Sequence, residues 1–321
     1  MSSLKIIAEI GGNHLGDYNR ALELIRCAIR AGATHVKFQC FEPEQMVGDP
    51  DYKITAGPWK GMNLFELYEQ IHTPKDWFPE MFKLVRRYGV VPFASVFHQD
   101  DVDYLSSLGC DLFKISSFEA VDHELIEYAQ EHGDVLVSTG MLDGEEFYDL
   151  PLDVIPMKCV SAYPAEPEDA NLNTLHTWRR SMIEFGISDH TRGFGVSVAA
   201  VALGATWVEK HFNLDGEGPD GDFSMTPRQF EIMAEACKQA HQSLGSVKYR
   251  TDSENPSLKL RRSLWWAEDL EPGDIVSRHH IKSARPADGL PCSEMESVVG
   301  SMIVEPVFKN TPIKGVGRYY A

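Results

Sequence analysis

Two histidines, His190 and His211, stand at the ends of consecutive apolar runs that are typical of β-strands. In a closed barrel of parallel strands these two runs are neighbours, so both imidazoles reach the same rim. Two imidazoles and solvent could share a divalent metal, and imidazole and oxygen ligands favour Mn²⁺ or Mg²⁺ over Zn²⁺. Two hydrogen-bonded structural histidines are the alternative, but the neighbouring Asp189 and Glu209 favour the metal.

Two lysines, Lys37 and Lys114, interrupt otherwise apolar predicted strands. A buried lysine costs several kcal/mol unless it is paired, so packing alone explains them poorly. They could form a Schiff base, or they could hold a carboxylate and a phosphate. A phosphate needs several hydroxyl and amide donors, and neighbouring strand ends supply Ser117, Ser138 and Ser188. The serines therefore favour the anion-binding alternative.

Two carboxylates, Glu9 and Glu119, lie on the same predicted rim. Each could act as a general base or as a substrate clamp. Two nearby glycines, Gly140 and Gly193, are interpreted as turn residues only.

Eight short apolar runs must position these side chains: 6–9, 35–39, 92–95, 112–117, 135–138, 157–161, 185–190 and 207–211. Most of them precede a stretch with helical periodicity, as between the suitable N-cap Asp17 and the terminating Gly32. Parallel strands with functional groups at their carboxyl ends predict an α/β fold, a (β/α)8 TIM barrel.

Two connections depart from the regular barrel pattern. Residues 46–75 are longer than a normal barrel loop and rich in Gly, Pro and aromatic residues, which predicts that they shape a pocket. Residues 141–148 leave room for only one or two helical turns. One outer helix is therefore expected to be stunted.

The chain divides into a predicted barrel domain (1–245), a polar linker (246–260) and a small β-rich domain (261–321). The last barrel helix is expected over about 227–244. The small domain could not be very stable alone and should dock on another surface.

Composition narrows the possible partners and locations. A formal net charge of −18 argues against nucleic acid, whose phosphates require a basic face. No run approaches a membrane span, and the N-terminus lacks the regions of a signal peptide. The six scattered cysteines have no Cys-x-x-Cys spacing and predict reduced thiols. A cytoplasmic protein without nucleic-acid or membrane partners is expected.

Several segments together resemble the sialic acid synthase family: AEIGGNHLG (8–16), VKFQ (36–39), KISSFE (114–119), STGM (138–141), YPA (163–165), EDANL (168–172), SDHT (188–191) and EKHF (209–212). The tail, from 261–264 through 284–289, is similar to that family's antifreeze-like (SAF) domain, a β-clip fold. The resemblance runs nearly end to end, and many motifs in the right order make it specific.

The resemblance implies condensation of phosphoenolpyruvate with an N-acylated hexosamine to a nine-carbon 2-keto sugar acid and phosphate, with C–O cleavage. It implies that His190 and His211 hold a divalent metal, Mn²⁺ or Mg²⁺, which polarises the sugar aldehyde. It also implies that the small domain reaches the partner subunit in a domain-swapped homodimer, where Arg285 contacts the N-acyl group.

The same resemblance assigns the remaining site residues. Lys37 and Ser95 would face the carboxylate of phosphoenolpyruvate, and Glu9 would bind or deprotonate at the reacting sugar. Glu119 would support the lysine or the attacking water. The phosphate would be held by Lys114, Ser117, Ser138, Ser161 and Ser188. The sugar hydroxyls would contact Gln39, Tyr163 and Asp220.

Within the family, four stretches are more similar to the pseudaminic acid synthase branch than to the N-acetylneuraminate branch: KISSFE, the GPWKG loop (57–61), HTP (72–74) and DFSM (222–225). Three features depart from the common pattern: Ser161 in place of Asn or Thr, the short segment after Met141, and ADG at 287–289. The sugar is therefore either 2,4-diacetamido-2,4,6-trideoxy-altrose or N-acetylmannosamine.

Three other functions compete with this one. A 3-deoxy-octulosonate-phosphate-type synthase would also use phosphoenolpyruvate but would leave the C-terminal domain without a role. A Schiff-base aldolase would use Lys114. A non-catalytic sugar-binding relative would have lost Glu9, the two lysines or the two histidines, and all of them are present.

Overall fold

The computed structural model describes residues 3–181 and 183–315, in two compact units that divide between Gly245 and Ser246. The predicted small domain extends to residue 321, and its last part, 316–321, lies outside the described residues. Along the described chain, no helix combines the length and apolar character needed to cross a membrane.

The first unit is a closed barrel of eight parallel strands, each paired with the next and the last with the first. The strands are β1 (Lys5–Glu9), β2 (His35–Cys40), β3 (Val91–Val96), β4 (Leu112–Ile115), β5 (Asp134–Ser138), β6 (Ile155–Cys159), β7 (Gly186–Ser188) and β8 (Trp207–His211). The predicted TIM barrel is confirmed, and every predicted run overlaps one strand.

Helices surround this barrel: α1 (Tyr18–Arg30), α2 (Pro43–Met46), α3 (Leu64–Ile71), α4 (Phe78–Arg87), α5 (Gln99–Ser107), α6 (His123–Gln130), α7 (Gly144–Tyr148), α8 (Thr174–Arg180), α9 (Gly195–Leu203) and α10 (Pro227–Ser243). The Asp17 side chain accepts hydrogen bonds from the Asn19 and Arg20 amides, so it caps α1 as predicted. The stunted helix is α7, held by a capping box between Asp143 and Glu146.

The register of the strands brings chemistry-bearing residues to one level. Glu9 is opposite Lys37 on one side and His211 on the other, and Ser95 is opposite Lys114. Side chains alternate between the two faces of a strand, and β8 uses both. Glu209 contacts Lys37 inside the barrel, whereas Lys210 pairs with Asp189 at 3.1 Å, fully buried.

The second unit has a small apolar core around an antiparallel pair of strands, β9 (Ser263–Trp266) and β10 (Ile281–Ala284). Two one-turn helices, α11 (Asn255–Leu258) and α12 (Met295–Val298), belong to it. Within 246–260, the predicted linker, Thr251 and Glu254 form a capping box at the start of short helical turns.

Candidate active site

A buried ion-pair cluster occupies the centre of the barrel mouth. The Lys37 Nζ lies 2.8 Å from Glu9 Oε2 and 3.5 Å from Glu209 Oε1. It also donates to Ser95 Oγ at 2.9 Å. Burial opposes the charge on Lys37, but the carboxylates of Glu209 and Glu9 outweigh it, so the pKa of Lys37 is raised. Lys37 is therefore an ammonium held between Glu9 and Glu209.

Lys114 has a contrasting environment. Its Nζ donates to Ser138 Oγ at 2.7 Å and to the Ile115 carbonyl at 3.1 Å, and the residue is buried. Among the described residues, no carboxylate oxygen forms a salt bridge with it. Burial therefore lowers the pKa of Lys114, and the more distant charge of Glu209 offsets this only in part. An ammonium in this setting lacks a counterion.

Serine hydroxyls converge next to Lys114, around Gly140. The Gly140 amide donates to Ser117 Oγ at 3.1 Å. A Cβ on Gly140 would lie 2.2 Å from Ser161 Oγ and 2.7 Å from Ser117 Oγ. The interpretation of Gly140 as a turn residue only is thus wrong, because its missing side chain lets two hydroxyls approach. The Ser161 Oγ is buried without a hydrogen-bond partner and is free to bind a ligand.

Glu209 is a site residue that the sequence reasoning did not select. It accepts from Ser188 Oγ at 3.2 Å through Oε1, while its buried Oε2 has no hydrogen-bond partner. Burial would raise its pKa, but Lys37 and Lys114 outweigh burial and lower the pKa of Glu209 to about 2. Strand alternation places Glu209 and His211 on one face of β8, and this signal could have identified it.

Two of the residues predicted to contact the sugar, Gln39 and Asp220, lie with Glu9 around Gly11, which has φ +49°. A Cβ on Gly11 would lie 2.9 Å from Asp220 Oδ2, 3.2 Å from Glu9 Oε1 and 3.8 Å from Gln39 Nε2. The Gln39 amide donates to Glu9 Oε1 at 3.2 Å. Burial raises the pKa of Glu9, although Lys37 opposes this. Three polar side chains from distant parts of the chain therefore face one point.

The two histidines lie side by side, with ring centroids 5.4 Å apart. The His190 Nδ1 is 2.8 Å from the Val160 carbonyl, so Nδ1–H donates, and in the neutral ring Nε2 carries the lone pair. The His211 Nδ1 is buried without a hydrogen-bond partner, 3.4 Å from Asp220 Oδ2. The two imidazoles fit as two ligands of a divalent ion whose other coordination positions stay open. Among the described residues, no group of three or more His, Cys, Asp or Glu residues could hold a metal ion.

Three aromatic side chains, Trp59, Tyr163 and Phe223, cover the histidines; we call them the aromatic wall. The Tyr163 ring is 4.3 Å from His190, and the Phe223 ring is 4.9 Å from His211. Trp59 lies 5.5 Å from Tyr163 and 6.4 Å from Phe223. One side of the mouth is therefore lined by aromatic rings.

Two predicted residues lie outside these contacts. Glu119 is half-buried on the rim, where Ser116 donates to it and burial raises its pKa. Arg285 is an exposed residue of the second unit, directly after β10. The contacts predicted for Arg285 and Glu119 with a substrate stay predictions.

The barrel mouth contains buried lysines, serines and a pair of histidines, and the chain also has a small second unit. The model of the NeuB family matches residues 24–249, and that of the SAF domain matches residues 261–316. The chain therefore belongs to the NeuB family, and the predicted resemblance is confirmed.

Individual relatives agree with this assignment. The pseudaminic acid synthase of Campylobacter jejuni is 37% identical over 89% of this chain and 88% of its own. The pseudaminic acid synthase of Helicobacter pylori is 35% identical over 96% of each chain. The crystal structure of N-acetylneuraminic acid (sialic acid) synthetase from Leptospira borgpetersenii, in complex with citrate, is 27% identical with a TM-score of 0.71, covering 80% of this chain and 90% of that one.

Proposed function

We propose that this protein is a nonulosonic acid synthase that condenses phosphoenolpyruvate with an N-acylated hexosamine. The observation that carries the proposal is Lys114, a buried ammonium that contacts a serine hydroxyl and has no carboxylate partner in the described chain. Such a group binds a small anion through charge-assisted hydrogen bonds. Membership of the NeuB family, with pseudaminic acid synthases among the relatives, supports this pair of substrates.

The reaction forms one C–C bond and releases phosphate. Carbon 3 of phosphoenolpyruvate attacks the aldehyde carbon of the open-chain sugar, and the aldehyde oxygen gains a proton and becomes a hydroxyl. The oxygen of a water molecule adds to carbon 2, and the bond between carbon 2 and the bridging phosphate oxygen then breaks. Phosphate carries away that oxygen, and carbon 2 keeps the water oxygen as the new ketone.

Phosphoenolpyruvate would lie across the two lysines. Lys37 and Ser95 would bind its carboxylate, since they already contact each other at 2.9 Å. The phosphate would act as the counterion of Lys114. Its oxygens would accept from the neighbouring hydroxyls of Ser117, Ser138, Ser161 and Ser188. Glu119 would support Lys114 or the attacking water from the rim.

The sugar would occupy the other side of the mouth. A divalent ion held by His190 and His211, Mn²⁺ or Mg²⁺, would supply Lewis acidity toward the aldehyde oxygen. Glu9 would bind or deprotonate at the reacting end of the sugar, and its raised pKa suits proton exchange. Hydroxyl groups would be bound by Gln39, Tyr163 and Asp220, two of which face the same point as Glu9.

The favoured sugar is 2,4-diacetamido-2,4,6-trideoxy-altrose rather than N-acetylmannosamine, because relatives named pseudaminic acid synthases match at 35–37% identity. A 3-deoxy-octulosonate-phosphate-type synthase is less well supported, because the SAF domain matched over residues 261–316 would have no role in such an enzyme. The cytoplasm is the proposed location, because all six cysteines are free thiols.

Phosphate release tests the proposal directly. The protein with phosphoenolpyruvate and Mn²⁺ is assayed with each of the two sugars, using phosphoenolpyruvate labelled with ¹⁸O at its bridging oxygen. We expect release with the trideoxy sugar, with the label in the phosphate. Release without any sugar, or label left in the keto acid, would contradict the proposed reaction, and release with N-acetylmannosamine alone would reverse the choice of sugar.

A domain-swapped homodimer is also proposed, with Arg285 completing the partner's site. Co-expression of differently tagged Arg285→Ala and Lys37→Ala chains permits purification of the mixed dimer. A swapped arrangement restores one of its two sites, so we expect about half of the wild-type rate. An inactive mixed dimer would show that each small domain serves its own barrel, and failure to recover a doubly tagged species would contradict dimerisation.

A further inference from the structure

Two side chains of the aromatic wall, Trp59 and Phe223, offer a ligand no free polar atom. The Trp59 Nε1 donates to the Pro219 carbonyl at 3.3 Å, so the only polar atom of this side chain is already used. Phe223 has no polar atom and is buried, whereas Trp59 is half-buried and therefore partly accessible. Together these two rings offer a ligand apolar contact and no hydrogen bond.

Trp59 is carried by an ordered turn rather than by a free loop. Residues Lys53 and Asn63 form a bridge that closes the turn. Backbone hydrogen bonds from Gly61 to Ile54 and from Met62 to Trp59 then fix its tip. The bond to Pro219 ties it to the segment that bears Asp220 and Phe223. Trp59 is thus positioned before any substrate arrives.

The order of the rings gives the wall a direction. Tyr163 and Phe223 contact the two histidines, and Trp59 lies against these two rings. With the aldehyde at the histidines, an N-acyl group on carbon 2 would lie close to Tyr163 and Phe223. A substituent at the far end of the sugar chain would reach Trp59.

We propose that Trp59 is a specificity-determining residue that selects a hexosamine with a methyl group, rather than a hydroxymethyl group, at carbon 6. This inference rests on the proposed function. A hydroxyl against Trp59 and Phe223 would lose its water without gaining a partner, because the indole N–H is committed to Pro219 and Phe223 has no polar side-chain atom. A methyl group loses nothing there and gains apolar contact with the ring.

The test compares sugars that differ in one group. Phosphate release is measured with 2,4-diacetamido-2,4,6-trideoxy-altrose, with its 6-hydroxy analogue, and with an analogue carrying N-formyl in place of N-acetyl at carbon 2. The wild-type protein should favour the 6-deoxy sugar over its 6-hydroxy analogue by about 10- to 100-fold in kcat/KM. Trp59→Ala should bring that ratio close to one, while KM for phosphoenolpyruvate stays unchanged.

Two further variants separate selection from structural support. Trp59→Phe keeps an apolar ring and should keep most of the preference, even where Trp59→Ala is poorly folded. Lys60→Ala alters the exposed neighbour on the same turn and should match the wild type. If Trp59→Ala and Trp59→Phe lower activity equally on both carbon-6 sugars, Trp59 supports the loop only and the inference fails.

The N-formyl analogue distinguishes the two methyl groups. Trp59→Ala could erase the preference for N-acetyl over N-formyl and leave the carbon-6 preference intact. In that case Trp59 contacts the methyl group of the N-acetyl group rather than carbon 6, and the assignment is wrong. If the wild-type protein releases no phosphate with any of these sugars, the proposed function itself fails, and the inference fails with it.

Discussion

The two sides of the barrel mouth are built from different parts of the fold. One side, which we call the serine half, consists of Lys114, Ser117, Ser138, Gly140 and Ser161. The other, the aromatic half, consists of the aromatic wall with His190 and His211. Lys37 with Glu9 and Glu209 forms a third cluster that belongs to neither half.

The serine half is set by strand ends, whereas much of the aromatic half is set by loops. Lys114 and Ser138 lie on β4 and β5, and Ser117 and Ser161 follow β4 and β6 by two residues. Trp59 lies in the long connection between α2 and α3, and Phe223 lies between β8 and α10. Because loops change more readily than barrel strands, the serine half suits the shared substrate and the aromatic half suits the variable one.

Removing the proposed metal should have the largest effect, and it should act on the aromatic half alone. Chelation with EDTA, or His211→Asn, is expected to lower phosphate release by about 10³-fold, because several kcal/mol of carbonyl polarisation are lost. Calorimetric titration with Mn²⁺ should detect one site per chain in the wild type and none in the variant. His176→Asn, at an exposed histidine of α8, is the control. Mn²⁺ binding that survives His211→Asn would contradict the assignment.

Lys114→Met should break the serine half. Loss of a charged donor to the phosphate is expected to lower kcat/KM for phosphoenolpyruvate by about 10²- to 10³-fold. Mn²⁺ affinity should not change, because the histidines lie in the other half. Lys158→Met is the matched control, since Lys158 is a half-buried lysine on β6, two strands along the barrel from β4. Equal losses in the two variants would mean that Lys114 is structural.

Much of the serine half was predictable from sequence, because its residues end strands. Apolar runs define the strands, and closure of the barrel collects their carboxyl ends at one mouth. The family resemblance, rather than the strand pattern, assigned Lys37 and Ser95 to one carboxylate, and the two side chains lie 2.9 Å apart. The strand pattern could not predict that Ser188 donates to Glu209, since side-chain pairing depends on distances that a pattern does not contain.

The aromatic half was less accessible to sequence reasoning. The long connection was expected to shape a pocket, but nothing in its pattern indicated that Trp59 meets Tyr163 across more than a hundred residues. Gly140 was misinterpreted for a related reason: a close approach of side chains from two other strands leaves no local signal. Contacts between loops, unlike strand ends, are fixed by the folded chain as a whole.

Gly140→Ala should produce a moderate effect confined to the serine half. The added Cβ would lie 2.2 Å from Ser161 Oγ and 2.7 Å from Ser117 Oγ, so both hydroxyls must move. We expect KM for phosphoenolpyruvate to rise about tenfold, the cost of roughly one hydrogen bond to a charged ligand. Gly144→Ala is the control, because its Cβ meets nothing within 4 Å. A change in the sugar preference instead of KM would contradict the division into halves.

The smallest effect concerns pH, and it separates the two lysines. Burial lowers the pKa of Lys114, whereas Glu209 and Glu9 raise that of Lys37 against burial. As pH rises, Lys114 is the first to lose its proton, and only the ammonium form attracts phosphate. Affinity for phosphoenolpyruvate, measured by calorimetry without metal, should therefore begin to fall below the ordinary lysine pKa of 10.5. Lys114→Arg keeps its charge throughout and should bind more weakly but with a flat profile. A wild-type profile as flat as that of Lys114→Arg would mean that Lys114 is not the phosphate ligand.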